Sequence, residues 1–370
     1  MFLSALGIIM VVDAHAWTAL GLFTEFIPYN SFFMPMFVFI SGYFNKIDGD
    51  TDLKPYCYRK LKNLLIPYLA IVFVSFWLEW IMDWIKLGQS PKIRFPDDLE
   101  SIIMSVITDG DPVSICSPMW FVPTLFTLLI TYSVIKKCFY KYWNGIVMLI
   151  VFCIFSTFVV WLAQNIKIPH ILLLPCKCLF FLPYLELGII YRERIEPKTE
   201  RRPKSANIVL LALLLLVNMI RMMILPNSSD IGFINLAYLS GFTSPYIITP
   251  MISSIVGISF WVIMIDTIGK AFYDNRLVNY ISENTLWILG FHVFFFNILN
   301  FLLFFWNNAI APIQGFDIES FRQTTWYRWE FYKEFRLTYF LVGLVGPLLL
   351  KLLVDHLKLL LTLICKKKDN

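Results

Sequence analysis

The chain predicts an all-α fold, a polytopic membrane bundle of about ten transmembrane helices, and three observations carry that prediction. Of its 370 residues, 58% are hydrophobic and only 15% charged, and the mean hydropathy is +0.68, a composition no soluble globule tolerates. Nearly uncharged runs of about twenty residues, long enough to cross ~30 Å of hydrocarbon as helices, recur from one end to the other. Lysine and arginine, finally, collect in alternate connections. With no long polar block between the runs, residues 1–370 form one domain.

In order, the predicted spans are Phe2 to Leu20, Phe26 to Asn45, Leu64 to Trp84, a fourth opening at Met119, Gly145 to Ala163, Ile171 to Tyr191, Ala206 to Leu225, Pro245 to Ile265, a ninth from Ile281, and Leu337 to Leu361. The first begins without a preceding lysine or arginine and lacks a small-residue cleavage site, so it reads as a span and not a secretory signal. Counting from a cytoplasmic start, 19 lysines and arginines fall in inner connections and eight in outer ones. Basic residues hold loops in the cytoplasm, which places both termini there, in the plasma membrane. The Ser41-Gly42 pair would let the second span pack closely beside the first.

Seven cysteines are scattered, mostly inside apolar runs. Cys116 is placed alone in an outer connection, which argues against a disulfide framework, and Cys176 and Cys178 read as small core residues. No cluster has metal-ligand spacing.

Ionisable groups inside spans are costly and therefore point to function. His15, in the first span, is the foremost. Asp13 stands two residues before it, a spacing that does not face it on a helix. His292 in the ninth span falls at a comparable depth. Each could equally be a buried imidazole bonded to a carbonyl or hydroxyl. Glu186, in the sixth span, either pairs with a cation such as Arg59 or faces a cavity. Lys177 and Arg221 lie nearer the outer ends and are placed to snorkel. Trp326, Tyr327, Arg328 and Trp329 form an outer aromatic and basic cluster suited to sugar rings or to the headgroup belt.

A histidine in the outer half of the first helix, then Phe33-Met-Pro-Met-Phe-Val-Phe-Ile-Ser-Gly-Tyr-Phe44, then a basic loop ending Leu64-Leu-Ile-Pro-Tyr68, resembles the acyltransferase-3 family of membrane O-acyltransferases, and within it the fucose 4-O-acetylase-like branch. Further landmarks are Met119-Trp-Phe-Val-Pro-Thr-Leu-Phe126, Leu179 to Tyr191, and Asn284, Thr285, Leu286 and His292. The resemblance spans most of the chain. It implies a membrane enzyme that moves an acyl group, acetyl above all, from acetyl-CoA or another acyl-CoA to a hydroxyl of a cell-surface polysaccharide or lipid-linked glycan precursor. The acyl-CoA is consumed as donor, with no resident cofactor and no nucleic-acid partner; membrane lipids surround the chain.

On this reading His15 is the general base, since a sugar hydroxyl needs a base with a pKa near 7 to attack a thioester. Candidate substrate contacts are Ser41, Tyr43, Trp120, Glu186, Asn284 and His292. Donor phosphates would want inner cations, for which Arg59, Lys60, Lys62 and Arg192 stand first, with Arg194, Lys270 and Arg276 also placed there; positive-inside topology alone would put most of them in the same loops. Where the family usually has an arginine or lysine eleven residues before the histidine, this chain has Ser4. A transporter or flippase without chemistry fits many spans with buried polar groups as well, and a family member that only binds partners is a third reading. His15→Ala separates the first two, because it removes acyl transfer and leaves carriage.

Overall fold

A computed structural model describes residues 1–48, 51–84, 99–108, 110, 113–199, 202–268 and 275–368. Most of the 86–112 connection and Lys270 lie outside them. Among the described residues there is no strand, and the helices are α1 (Phe2–His15), α2 (Phe33–Tyr43), α3 (Leu53–Met82), α4 (Leu99–Thr108), α5 (Ser114–Cys138), α6 (Gly145–Asn165), α7 (His170–Thr199), α8 (Lys204–Ile224), α9 (Thr249–Ile268), α10 (Arg276–Glu283), α11 (Thr285–Ala309), α12 (Ile318–Gln323) and α13 (Lys333–Thr362). Eight of these are long and apolar enough to cross a membrane, and α1 and α2 are shorter apolar helices. These ten match the ten predicted spans one to one.

Local chemistry starts the helices where the polar connections end. Asn144 caps α6 by accepting bonds from the Ile146 and Val147 amides (3.1 and 3.4 Å), Asn275 does the same for α10 at Leu277 and Val278 (2.9 and 3.2 Å), and Pro203 stands just before α8. Each cap satisfies amides that have no partner within their own helix. The rim helix α8 is largely exposed, with Leu213, Leu216, Val217 and Ile220 turned outward, whereas α7 is buried along most of its length.

Two predicted spans are corrected. Instead of continuing to Leu20, α1 stops at His15, and α2 covers only 33–43 of the 26–45 expected. At 1.5 Å per residue they measure roughly 21 and 17 Å, too short to cross alone. The cause is Asp13, fully buried, whose carboxylate accepts the amides of Leu20 (2.7 Å) and Gly21 (3.1 Å) and the hydroxyl of Tyr29 (2.9 Å). Those bonds fold the chain back at Trp17 and Thr18, which have φ of 61 and 55°, a left-handed conformation costly for side-chain-bearing residues. Beyond the fold-back, whose Trp17, Thr18, Leu20 and Phe23 are exposed, the chain returns into the bundle at Ile27, Tyr29, Ser31 and Phe32, which are buried.

The closest approach of α2 is to α7, not to α1 as the sequence suggested. A Cβ on Gly42 would lie 2.0 Å from the Leu185 carbonyl oxygen, and one on Gly188 would lie 2.1 Å from that of Phe39. Each glycine lets the other helix's backbone into its own groove, the small-residue packing that membrane helices use in place of a hydrophobic drive.

Loops the sequence put on one side meet others of that side. On the basic side, Arg192 donates to the Tyr43 and Asn45 carbonyls (both 2.7 Å) and Lys137 to that of Thr51 (3.0 Å). On the other, Arg336 donates to the Trp17 carbonyl (3.1 Å) and Arg221 to that of Phe26 (2.7 Å). Among the described cysteines, Cys57, Cys138, Cys153, Cys176 and Cys178 carry free thiols. Cys116 is not in an open loop but buried in the short helical turn that opens α5.

Candidate active site

Because α1 ends at His15, its imidazole emerges from the helix end toward a cavity of about 650 Å3 on the side of the bundle away from the basic loops, the outer side on the expected topology. Trp120 from the start of α5 forms one wall. Asn235 and Tyr238 come from a small hairpin between α8 and α9, closed by paired backbone bonds between Asn235 and Ser240 (3.0 and 3.1 Å). Gln323, Thr325 and Trp326, from α12 and the segment after it, complete the lining. Indole and phenol rings among amide and hydroxyl groups suit a polar, ring-shaped ligand, and the volume lies within the usual range for small-molecule sites. Tyr238 also lines a neighbouring cavity of about 580 Å3 that reaches Lys167 and His170.

His15 Nδ1 lies 2.8 Å from His292 Nε2. The two rings are 9° from parallel with centroids 5.0 Å apart, the separation an in-plane hydrogen bond imposes; a face-to-face stack would leave no such bond. His292 Nδ1 is 2.9 Å from the Ile288 carbonyl oxygen. These contacts assign the protons of the neutral pair. A carbonyl only accepts, so His292 Nδ1 carries hydrogen and donates; its Nε2 is then an acceptor, and His15 Nδ1–H must donate to it. What remains is a bare Nε2 on His15, the nitrogen a base needs.

The aromatic surroundings hold this pair in place. Trp326 packs edge-on against His15 (5.2 Å between centroids) and Phe296 against His292 (5.7 Å). Arg328, buried in the same group, sits 4.2 Å from the Phe296 ring centroid and 5.9 Å from that of Trp326. Its Nη1 donates to the Thr325 and Tyr327 carbonyls (3.2 and 2.6 Å), fixing the backbone that presents Trp326. Burial pushes the Arg328 guanidinium down to about 9, so it remains a cation at neutral pH.

The other sequence candidates lie apart from the dyad or are already engaged. Ser41 donates to the Phe37 carbonyl within its own helix (2.9 Å). The Tyr43 hydroxyl meets the Glu196 carboxylate (2.8 and 2.9 Å) at the basic side. Asn284 precedes α11 and donates to the Tyr280 carbonyl (2.8 Å). Glu186 does not pair with Arg59: it is buried, accepting from Tyr132 (2.5 Å) and Trp143 (3.4 Å), since both side chains reach it through the helix contact while Arg59 lies by the Tyr56 ring, 5.8 Å from its centroid. Lys177 does not snorkel; it is completely buried with its ammonium 5.0 Å from the Trp120 ring centroid.

Among the inner cations, Arg59 and Lys62 are exposed and Lys60 is half-buried against Tyr56. Arg192 is taken up by the Tyr43 and Asn45 carbonyls and by Glu193 (2.9 Å), where it neutralises the carbonyl end of α2. Cavity residues that sequence reasoning missed are Asn235, Tyr238, Gln323, Thr325 and Ser114. They are ordinary polar residues drawn from a hairpin, two helix ends and a connecting segment far apart in the chain, with no shared spacing to mark them.

No curated protein and no solved structure matches the chain. The family model described as an acyltransferase domain, that of the acyltransferase-3 family, matches residues 3–356. That match takes in both histidines, the whole lining of the larger cavity and all or most of each of the ten apolar helices: the chain belongs to the acyltransferase-3 family and is a multi-pass membrane acyltransferase.

Proposed function

We propose that the protein takes an acyl group from cytoplasmic acyl-CoA and passes it to a hydroxyl of a cell-surface polysaccharide or lipid-linked glycan precursor, with His15 as general base. The chain would sit in the plasma membrane with both termini in the cytoplasm, so that the thioester arrives from the basic side and the glycan through the outer cavity. The observation that carries this reading is the unprotonated Nε2 of His15 at the wall of that cavity, left bare by the two hydrogen bonds that run from His15 to His292 and from His292 to Ile288.

A hydroxyl held against Trp120, Trp326 and the amides of Asn235 and Gln323 would give its proton to His15 Nε2 as its oxygen attacks the thioester carbonyl carbon. The tetrahedral intermediate then expels the coenzyme thiolate: a C–O bond forms, the C–S bond breaks, and the proton on Nε2 passes to sulfur. During attack the His15 ring becomes an imidazolium, and the Nε2 lone pair of His292 stabilises it through the existing bond. His292 is thus a positioning residue that fixes tautomer and ring plane, in the manner of the third member of a hydrolytic triad but without that member's negative charge. The test is mass analysis of surface glycans from cells carrying the wild-type gene, His15→Ala, or no gene. An acyl-sized mass increment present only with wild type supports the reading; identical glycans in all three, with no acyl-CoA consumed by the purified protein, defeat it.

A further inference from the structure

Inward of the histidine pair, among α1, α2, α3, α5 and α11, lies a second cavity of about 160 Å3, lined by Ile8, Phe37, Leu64, Leu125, Thr285 and Leu289 among others. Its place follows from helical spacing. Ile8 precedes His15 by seven residues and Thr285 precedes His292 by seven, two turns on the same face, or ~10 Å along each axis. Leu289, one turn before His292, is the wall nearest the pair. The slot therefore lies under the dyad, on the side away from the glycan cavity.

The chemistry of the slot is hydrocarbon. Thr285 is the one polar residue among those that line it, and its hydroxyl already donates to the Ser282 carbonyl (2.7 Å) and meets Ser4 Oγ (3.3 Å). An amide placed there would lose its hydrogen bonds, which disfavours the pantetheine arm as occupant. Apolar cavities of roughly this size stay dry and accept a hydrocarbon about as large as benzene.

Resting on the reading of the donor as an acyl-CoA, we propose that this slot receives the hydrocarbon tail of the donated acyl group, and that the preferred donor carries a chain longer than acetyl, roughly four to six carbons. With the thioester carbonyl beside the His15 ring, the end of a six-carbon chain comes past the level of Leu289, one helical turn below the pair, and that of a four-carbon chain close to it, whereas a methyl group falls short.

The experiment measures binding of acetyl-, butyryl-, hexanoyl- and decanoyl-CoA to the full-length protein in nanodiscs, with no acceptor required. Affinity should rise roughly fourfold per methylene from acetyl, peak at butyryl or hexanoyl, and fall for decanoyl. Leu125→Phe, which narrows the slot, should lower the hexanoyl-to-acetyl affinity ratio about tenfold, and Leu125→Ala should move the peak to a longer chain, a gain that misfolding cannot produce. Equal affinity for all four chains, as when a bilayer lipid holds the slot, overturns the proposal. So does an unchanged ratio in both variants, or a narrowing variant that weakens acetyl-CoA as much as hexanoyl-CoA, which would make the slot a passage for the pantetheine arm. Each of those failures leaves acyl-CoA bound and the acyltransferase reading standing; binding of none of the four overturns the donor reading along with the slot.

Discussion

The two helices that carry the histidines treat them differently. α1 stops at His15, whereas α11 runs on to Ala309, nearly five turns past His292. One ring is therefore held at a helix end and borders the outer cavity, and the other is sealed in mid-helix with no exposed surface. A histidine inside a continuous membrane helix can be fixed but not reached. A histidine at a helix end can be reached but is not fixed by the helix, and here the buried ring supplies the constraint. The division of labour we propose for them, one imidazole facing the substrate and the other positioning it, would follow from where each helix ends.

The most direct way to break this comparison is at the reachable ring. His15→Ala should lower acyl transfer by ~10²-fold to 10⁴-fold, the usual contribution of a positioned base, with donor binding retained, as read from coenzyme release and from acyl-CoA titration. Residual activity near wild type would mean that the exposed nitrogen is not the base.

The sealed ring should matter less and differently. His292→Ala should cost about 10-fold to 100-fold, the range for partners that fix a histidine's tautomer, and His292→Gln should restore part of that loss because its amide oxygen can accept from His15 Nδ1–H. A purely structural His292 would show equal losses in both variants and an unmoved pH profile; the positioning role predicts that the Ala variant's pH–rate profile shifts and that the Gln variant's shifts less.

The helix end itself can be moved. Asp13→Ala leaves two amides and the Tyr29 hydroxyl without their carboxylate, and should destabilise the chain by about 3 kcal/mol, read as a lower Tm in detergent with activity falling in parallel. Asp13→Asn keeps one acceptor oxygen and should lie between. The smallest effect belongs to the rim of the cavity: Trp326→Ala should raise KM for the acceptor by about 3-fold to 10-fold, on the order of one aromatic contact, with little change in kcat. A kcat loss as large as that of His292→Ala would instead show that Trp326 holds the His15 ring plane.

Much of this was open to reading along the chain. Ten apolar runs gave ten apolar helices, eight of them long enough to cross, because crossing hydrocarbon is a demand those eight segments meet with their own residues. The two histidines stood out for the same reason, since ionisable groups are scarce where water is absent. Asp13 illustrates the limit: its spacing argued against a bond to His15, yet nothing local announced that it would instead gather amides seven and eight residues on and a hydroxyl sixteen on. Glu186 was visible as a carboxylate within a span and Lys177 was read as snorkelling; the groups that surround them, Tyr132, Trp143 and Trp120, come from other parts of the chain. Arg192 looked like a phosphate ligand, and only the packed bundle shows its guanidinium spent on the carbonyl end of α2.

Composition, span length and the alternation of basic loops by themselves determined a multi-pass helical bundle, because each is a sum over one segment and the bilayer judges segments singly. The tertiary structure alone decided that α1 breaks at its histidine, that a ring from α11 donates to a backbone carbonyl and thereby leaves one nitrogen of His15 bare, and that an apolar slot lies beneath them. Those are outcomes of hydrogen bonds and packing between residues as distant along the chain as His15 and His292, 277 positions apart, whose directions no periodicity along the chain encodes.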